Sequence, residues 1–324
     1  MASSSSQAND KMINDLAVGQ LWTKASDQAL MALLNTYDAF AFDLDGTIWK
    51  GNTLIPGAKE VLDLLRKLGY ALFFVTNNST KSRASVMKKM IGLGLIVKEG
   101  EVLGSSHAAA VFLKSHNIKK AYVVGEAGLV EELDAAGIQA VGGPADNGLS
   151  FDWKAENPEV TLDPGVTAVV VGLDRDVNYL KIQTAMAYLV TQKAVFVATN
   201  QDSRGNLAST QEWAGAGTMV GAVAACSEME PFVVGKPNPL LMDIACKAAG
   251  ISRNKLCVVG DRLDTDIAWA HNNGAGALLV LTGCTTEQQL QVPGVVTKPL
   301  MYIDSVADLL SIKSTVSDSY CCIS

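Results

Sequence analysis

No apolar run in this sequence approaches the roughly 20 residues that a membrane-crossing helix needs, which excludes an integral membrane protein. No CxxC pair occurs among Cys226, Cys246, Cys257, Cys284, Cys321 and Cys322, and four of these fall in segments that read as core elements or their ends. Reduced thiols in a cytosol-like compartment are the simplest reading. Histidine is scarce: His107, His116 and His271 stand far apart without a ligand-like neighbour, which argues against a zinc site. The opening MASSSSQAND has no apolar h-region, so a secretory signal is excluded. Residues 1–24 read as a disordered leader. Its serines would suit a transit peptide to a chloroplast or another organelle, but Asp10, Asp15 and the lack of arginine before Arg66 favour the cytoplasm. Charge is sparse too, at 18% against 48% hydrophobic residues, and the formal net charge of −7 disfavours nucleic acid and anionic membrane surfaces. An anionic ligand must therefore meet a locally positive pocket.

What is present is the alternation of buried strand and helix. AFAFDLDGT from Ala39 is a short apolar run that ends abruptly in acidic residues and glycine, as a buried parallel strand does when it delivers its last residues to a site. Gly57 to Leu68 has helical spacing, and ALFFVT (Ala71 to Thr76) is a second buried strand. KLCVVGD (Lys255 to Asp261), a helix from about Asp264 to Asn273, and ALLVL (Ala277 to Leu281) continue the series. The pattern predicts an α/β fold with a doubly wound parallel sheet. Between the two halves lies a second series: AYVVG (Ala121 to Gly125), GLVEELDAAG (Gly128 to Gly137), AVVVGLD (Ala168 to Asp174), a helix near Asn178 to Thr191, and AVFVATN. It has enough apolar periodicity for a core of its own, with a long loop from Gly142 to Pro164. At 324 residues, two unequal domains are as sensible as one large one.

Four short segments fall where loops leave the carboxyl ends of parallel strands, the edge at which α/β sheets bind ligands. They are Asp43-Leu44-Asp45-Gly46-Thr47, Thr76-Asn77-Asn78-Ser79, Gly235-Lys236-Pro237-Asn238-Pro239 and Gly260-Asp261-Arg262-Leu263-Asp264-Thr265-Asp266. Each alone has a plainer reading as a turn or a helix cap. Together they form one chemical set for phosphoryl transfer, which needs fixed positive charge, hydrogen-bond donors and usually a divalent cation. Lys236 and the short polar side chains from Thr76 to Asn78 supply the donors. Asp43 and Asp261 are natural ligands for Mg²⁺, a hard ion that prefers oxygen. One carboxylate can attack phosphorus and a second, two residues on, can protonate the departing alkoxide; Asp43 is assigned to attack and Asp45 to proton transfer. The GAGTMVG run at Gly215 to Gly221 has a mis-spaced third glycine for a dinucleotide site, so close helix packing explains it better.

These four segments, spanning nearly the whole chain, resemble the motifs of the haloacid dehalogenase (HAD) superfamily. The middle unit lies between the second and third motifs, which is similar to the large-cap, NagD-like branch, and GDRLDTDI with TNNSTKSR is similar to eukaryotic phosphoglycolate phosphatases. The resemblance implies a Rossmann-like core over 25–112 and 215–312, an inserted α/β cap over 113–214 and a flexible tail over 313–324. It implies Mg²⁺ held by Asp43, Asp261 and the main-chain carbonyl of Asp45. Phosphate would be held by Leu44 and neighbouring main-chain N–H groups, Thr76, Asn77 and Lys236, with Asp266 in support. The aspartate at position 45, which dehalogenases and P-type ATPases lack, favours ester hydrolysis. The expected activity is Mg²⁺-dependent hydrolysis of a small phosphomonoester through an aspartyl phosphate, with 2-phosphoglycolate first. Pyridoxal phosphate, glycerol 3-phosphate and 4-nitrophenyl phosphate are alternatives, and a catalytically silent phosphate-binding regulator is the rival from another class. Within the cap loop Thr199 to Arg204, Arg204 could pair with a substrate carboxylate. The proline common in the family soon after this segment is replaced by Gly205-Asn206-Leu207-Ala208. Caps of this kind can present a homodimer surface. The final Cys321-Cys322-Ile323-Ser324 fits a prenylation pattern at Cys321, with an incidental tail as the alternative since no polybasic run precedes it.

Overall fold

Runs of four to six β-branched, aromatic and small apolar residues that are buried on both faces can satisfy their backbones only by pairing on both edges, which is how parallel sheets form. In the computed structural model the described residues are 23–152, 154, 159–208, 211–291 and 299–312. The leader expected over 1–24, apart from its last two residues, and the tail from 313 with Cys321 lie outside them. The chain divides into two compact units, one formed by Met1–Val75, Ile91–Glu101 and Met242–Ser324, the other by Thr76–Met90 and Val102–Leu241.

The first half of the chain runs α1 (Asp27–Thr36), β1 (Ala39–Phe42), β2 (Trp49–Lys50), β3 (Thr53–Leu54), α2 (Ala58–Lys67), β4 (Ala71–Thr76), α3 (Arg83–Gly92), β5 (Val102–Gly104) and α4 (Ser105–Ser115). Then come β6 (Lys120–Val124), α5 (Ala127–Ala135), β7 (Gln139–Gly142), β8 (Ala168–Val171), α6 (Tyr179–Thr191) and β9 (Val195–Ala198). The remainder is β10 (Arg204–Ala208), β11 (Gln211–Ala214), α7 (Ala216–Ser227), β12 (Phe232–Val233), α8 (Leu240–Ala249), β13 (Leu256–Gly260), α9 (Ala268–Asn272), β14 (Gly276–Val280), α10 (Glu287–Leu290) and β15 (Met301–Ile303).

In the first unit, parallel strands follow the order β15-β14-β13-β1-β4. β1 is central, and all four of its residues are fully buried. Phe42 pairs with Val259 of β13 and with Phe74 of β4, so the three strands end nearly level. That register sets the loops after Phe42 and Gly260 side by side. α2 buries Val61, Leu62 and Leu65 and packs against the 3₁₀ turns at Val306–Ile312. The helix expected from Asp264 begins instead as a π-turn, Leu263–Ile267, and becomes α-helical only at Ala268. The wider turn adds a residue where the acidic cluster must bend, a placement common at functional sites.

In the second unit, five parallel strands follow the order β12-β9-β8-β6-β7. Tyr122, Val169, Tyr188, Leu189, Phe196 and Val223 lie in its core. Its contacts reach further back in sequence than residue 113. A Cβ on Gly128 of α5 would stand 2.4 Å from the Lys81 backbone, so glycine alone allows that approach. Glu132 of α5, 3% exposed, accepts from the Arg83 main-chain N–H at 2.7 Å and from Arg83 Nε, and faces His107 Nδ1 at 3.5 Å. Burial pushes its carboxyl pKa up, but bonds from His107 and Arg83 outweigh this and leave it lowered. The GAGTMVG run opens α7, where Gly215 and Gly217 let the helix start against the carbonyls of Gln201 and Asp202. Among the described residues no helix is long and apolar enough to cross a membrane.

The second unit also buries an ion pair. Lys181 Nζ, fully buried, donates to Asp174 Oδ2 at 2.8 Å and to Asn147 Oδ1 at 2.5 Å. Removing one partner would strand the other's charge in an apolar interior, a loss of about 3–5 kcal/mol. Lys181→Met should therefore lower the free energy of unfolding by that amount, and Lys181→Met with Asp174→Leu should recover much of the loss, as checked by urea unfolding.

Candidate active site

The first unit gathers carboxylates. β1 ends at Phe42, and the Asp43 N–H still donates to Val259 O at 2.8 Å before the chain turns. The turn is closed on Leu44, whose carbonyl accepts from the N–H groups of Ile48 at 2.9 Å and Trp49 at 3.1 Å. Gly46 holds a positive φ of 94° within it. Asp43, Asp261 and Asp266 offer oxygens that all lie within 4.8 Å of one another, and Asp261 and Asp266 are each 1% exposed. Three close carboxylates of low exposure, with hard oxygen donors, fit a Mg²⁺ ion. Asp43 and Asp261 would hold it, with Asp266 beside them in support.

Each member has a local cause. Asp261 Oδ2 accepts from the Cys284 N–H at 2.6 Å, and the Asp261 carbonyl accepts from Thr285 N–H at 3.1 Å. Gly46 and Gly283 leave room for that carboxylate, since a Cβ would approach Asp261 Oδ2 to 2.7 Å from Gly46 and 1.8 Å from Gly283. Thr282 Oγ1 donates to Gly46 O at 2.6 Å and joins the two glycine loops. Asp266 Oδ2 accepts from the Arg262 N–H at 3.2 Å, whereas Asp264, two residues earlier, is 67% exposed and paired with Arg262. The Asp45 side chain stands outside this trio and accepts from Trp49 Nε1 at 2.8 Å.

The second unit gathers donors. Thr76 ends β4, and its Oγ1 accepts from Asn78 N–H at 3.0 Å, which leaves its hydroxyl hydrogen to be donated elsewhere. Asn78 itself forms a turn, accepting from the Thr80 N–H at 3.0 Å and hydroxyl at 2.8 Å. Asn77 brackets the Lys236 main chain: its Oδ1 accepts from Lys236 N–H at 2.8 Å and its Nδ2 donates to Lys236 O at 3.1 Å and to Asp202 Oδ1 at 3.2 Å. The amide expected to hold phosphate thus braces the lysine. Lys236 is 3% exposed and precedes a cis proline. Arg204 opens the β10–β11 hairpin and pairs with Glu212 at 2.7 Å, both about two-thirds exposed.

Sequence reasoning did not single out Trp49, Thr282, Gly283, Cys284 or Asp202. The two-residue Gly51-Asn52 turn between Lys50 and Thr53 would have flagged the β2–β3 hairpin that carries Trp49. Nothing local marks Gly283 and Cys284, which act on a residue more than twenty positions earlier.

With this geometry in hand, the comparisons with known proteins fix the class. Residues 40–139 match the haloacid dehalogenase-like hydrolase family, and residues 233–309 match a HAD-hydrolase-like family. Phosphoglycolate phosphatase 1A, chloroplastic, of Arabidopsis thaliana is 46% identical over 87% of this chain and 79% of its own length. Human glycerol-3-phosphate phosphatase is 36% identical over 89% of this chain and 94% of its own. A glycerol phosphate phosphatase of Mycobacterium tuberculosis, solved in complex with magnesium, superimposes with a TM-score of 0.70 at 28% identity, covering 86% of this chain and 77% of that one. The chain belongs to the haloacid dehalogenase-like hydrolases.

The loop that seats Asp261 can be tested apart from the ligands. Gly283→Ala should push the carboxylate aside and weaken Mg²⁺ binding by about 10- to 100-fold, the usual cost of disturbing what orients a ligand. Calorimetric Mg²⁺ titration, with circular dichroism to confirm folding, reads the effect directly.

Proposed function

We propose that this phosphatase of the HAD-like family hydrolyses 2-phosphoglycolate with Mg²⁺ through an aspartyl phosphate on Asp43. The observation that carries the chemistry is the Asp43, Asp261 and Asp266 trio at the ends of β1 and β13, with Asp45 two residues beyond the first of them. Mg²⁺, when bound, offsets the charge of carboxylates and phosphate and polarises the phosphoryl oxygens. Asp43 and Asp261 are its side-chain ligands in this reading, Asp45 contributes its carbonyl, and Asp266 supports. Thr76 and Lys236 hold the phosphoryl oxygens, with Asn77 keeping Lys236 in place and main-chain N–H groups from Leu44 onward adding donors.

In the first step an Asp43 oxygen attacks phosphorus; the new O–P bond forms as the ester P–O bond breaks, and its electron pair leaves with the alkoxide. Asp45 delivers its proton to that alkoxide. In the second step Asp45 takes a proton from water, the water oxygen attacks phosphorus, and the P–O bond to Asp43 breaks to restore the carboxylate. Residues 113–214 act as the cap that selects the leaving group and excludes bulk water.

The preference for phosphoglycolate is supported by the 46% identical relative of that name; the relative named for glycerol 3-phosphate supports the alternative. A homodimer through the cap belongs to the same reading. Of the two expected locations, the chloroplastic relative supports the organellar one.

Phosphate release from 2-phosphoglycolate, glycerol 3-phosphate, pyridoxal phosphate and p-nitrophenyl phosphate, with Mg²⁺ and with EDTA, tests the reading. Turnover should need Mg²⁺, be fastest on phosphoglycolate and vanish in Asp43→Asn; turnover on none would favour a silent phosphate-binding regulator. Arg204 is assigned to the substrate carboxylate, for which it would exchange its exposed bond to Glu212. Arg204→Leu should raise KM for phosphoglycolate about 10-fold, the equivalent of ~1.4 kcal/mol, and leave KM for p-nitrophenyl phosphate nearly unchanged.

A further inference from the structure

A buried indole beside the proton-transferring carboxylate is the feature that the reading above does not use. Trp49 is 2% exposed, an unusual degree of burial for the largest side chain, and its Nε1–H is a donor that must find an acceptor when buried. It donates to Asp45 Oδ1 at 2.8 Å, four residues back. The backbone between the two is closed as well: Gly46 N–H donates to Trp49 O at 2.7 Å, and Trp49 N–H donates to Leu44 O at 3.1 Å. Trp49 is in turn fixed by pairing with Leu54 in the β2–β3 hairpin. Asp45 is exposed while its anchor is buried, so Asp45 Oδ1 is held on a rigid support.

We infer that Trp49 is a positioning residue for Asp45, its buried N–H fixing the rotation of the carboxyl group and thereby which oxygen exchanges a proton with the leaving group. The inference rests on Asp45 acting as acid and base. An oxygen that accepts the indole N–H is the carbonyl-type oxygen of the protonated acid, because the hydroxyl oxygen is the poorer acceptor. The mobile proton then sits on Oδ2. It passes from Oδ2 to the alkoxide as the ester P–O bond breaks, and Oδ2 regains a proton from the attacking water. Without the indole the carboxyl loses that restraint on its rotation, and the proton spends less time facing the ester oxygen. Trp49 touches neither phosphate nor metal in this scheme; it acts through Asp45 alone.

The test compares Trp49→Phe, Asp45→Asn and the double variant on 2-phosphoglycolate, whose alkoxide needs a proton, and on p-nitrophenyl phosphate, whose phenolate leaves without one. Trp49→Phe should lower kcat/KM, which reports transfer to Asp43 and not the shared hydrolysis of the aspartyl phosphate, on the order of 10-fold more for phosphoglycolate than for p-nitrophenyl phosphate, a part of the ~10²–10⁴-fold that a positioned acid contributes. Because both substrates are read on one preparation, the ratio does not depend on how much of the variant is folded. Adding Trp49→Phe to Asp45→Asn should cost nothing further on either substrate. Equal loss of kcat/KM on the two substrates in Trp49→Phe, or a full additional loss in the double variant, would overturn the inference while leaving Asp45 as the acid. If Asp45→Asn itself lowered kcat/KM alike on both, the acid role of Asp45 would fall first and this inference with it.

Discussion

Three carboxylates whose oxygens lie within 4.8 Å are the constraint on which the first unit is organised. At such a separation two unit charges repel by roughly 3–4 kcal/mol in the effective dielectric near a protein surface, and more where water is scarce. The fold must therefore hold the three against their mutual repulsion until a cation offsets it. Main-chain geometry contributes to that hold: the Cys284 N–H fixes Asp261 Oδ2, the Arg262 N–H fixes Asp266, and two glycines remove the methylene volume that would otherwise occupy the space. The order β13-β1-β4 and the level register of Phe42 with Val259 follow from the same need, because Asp43 and Asp261 can meet only if their strands are neighbours and end together.

The second unit solves the opposite electrostatic problem with the same means. Lys236 is almost wholly buried, and its main chain is bracketed on both sides by a single amide, that of Asn77. A side-chain amide suits this role because it offers a donor and an acceptor on one rigid plane. Gly235 is required beside it, since a Cβ there would come within 2.6 Å of Asn77 Oδ1. Asn77 also reaches Asp202, which lies just before the β10–β11 hairpin that carries Arg204, so the lysine's support and the hairpin's root share one hydrogen-bonded side chain.

Much of this was legible in the sequence because buried parallel strands announce themselves. AFAF, ALFFVT, LCVVG and VFVA are apolar runs with polar or acidic ends, and each is a strand in the fold. The candidate carboxylates at those ends were legible for the same reason. What escaped depended on distance or on short elements. β2 and β3 have two residues each, too few for any period to show, yet they carry Trp49. Gly283 and Cys284 shape Asp261 across a long sequence gap, and a lone Gly-Cys pair has no local signature.

The division of labour proposed for Asp43 and Asp45 rests on backbone direction rather than on residue type. Two aspartates one residue apart on a continuing strand would project to the same face and share one environment. Here β1 stops at Phe42, and by Gly46 the chain has entered the left-handed region, with Asp45 already within the turn. Asp43 is left with Asp261 and Asp266, where a cation would keep it ionised and in place. Asp45 is carried around the turn to an indole donor and is an exposed residue. A nucleophile needs an ionised carboxylate, and a proton carrier needs one that can cycle. A turn built on Gly46 and closed by Leu44 and Trp49 supplies both from the same four-letter stretch of sequence.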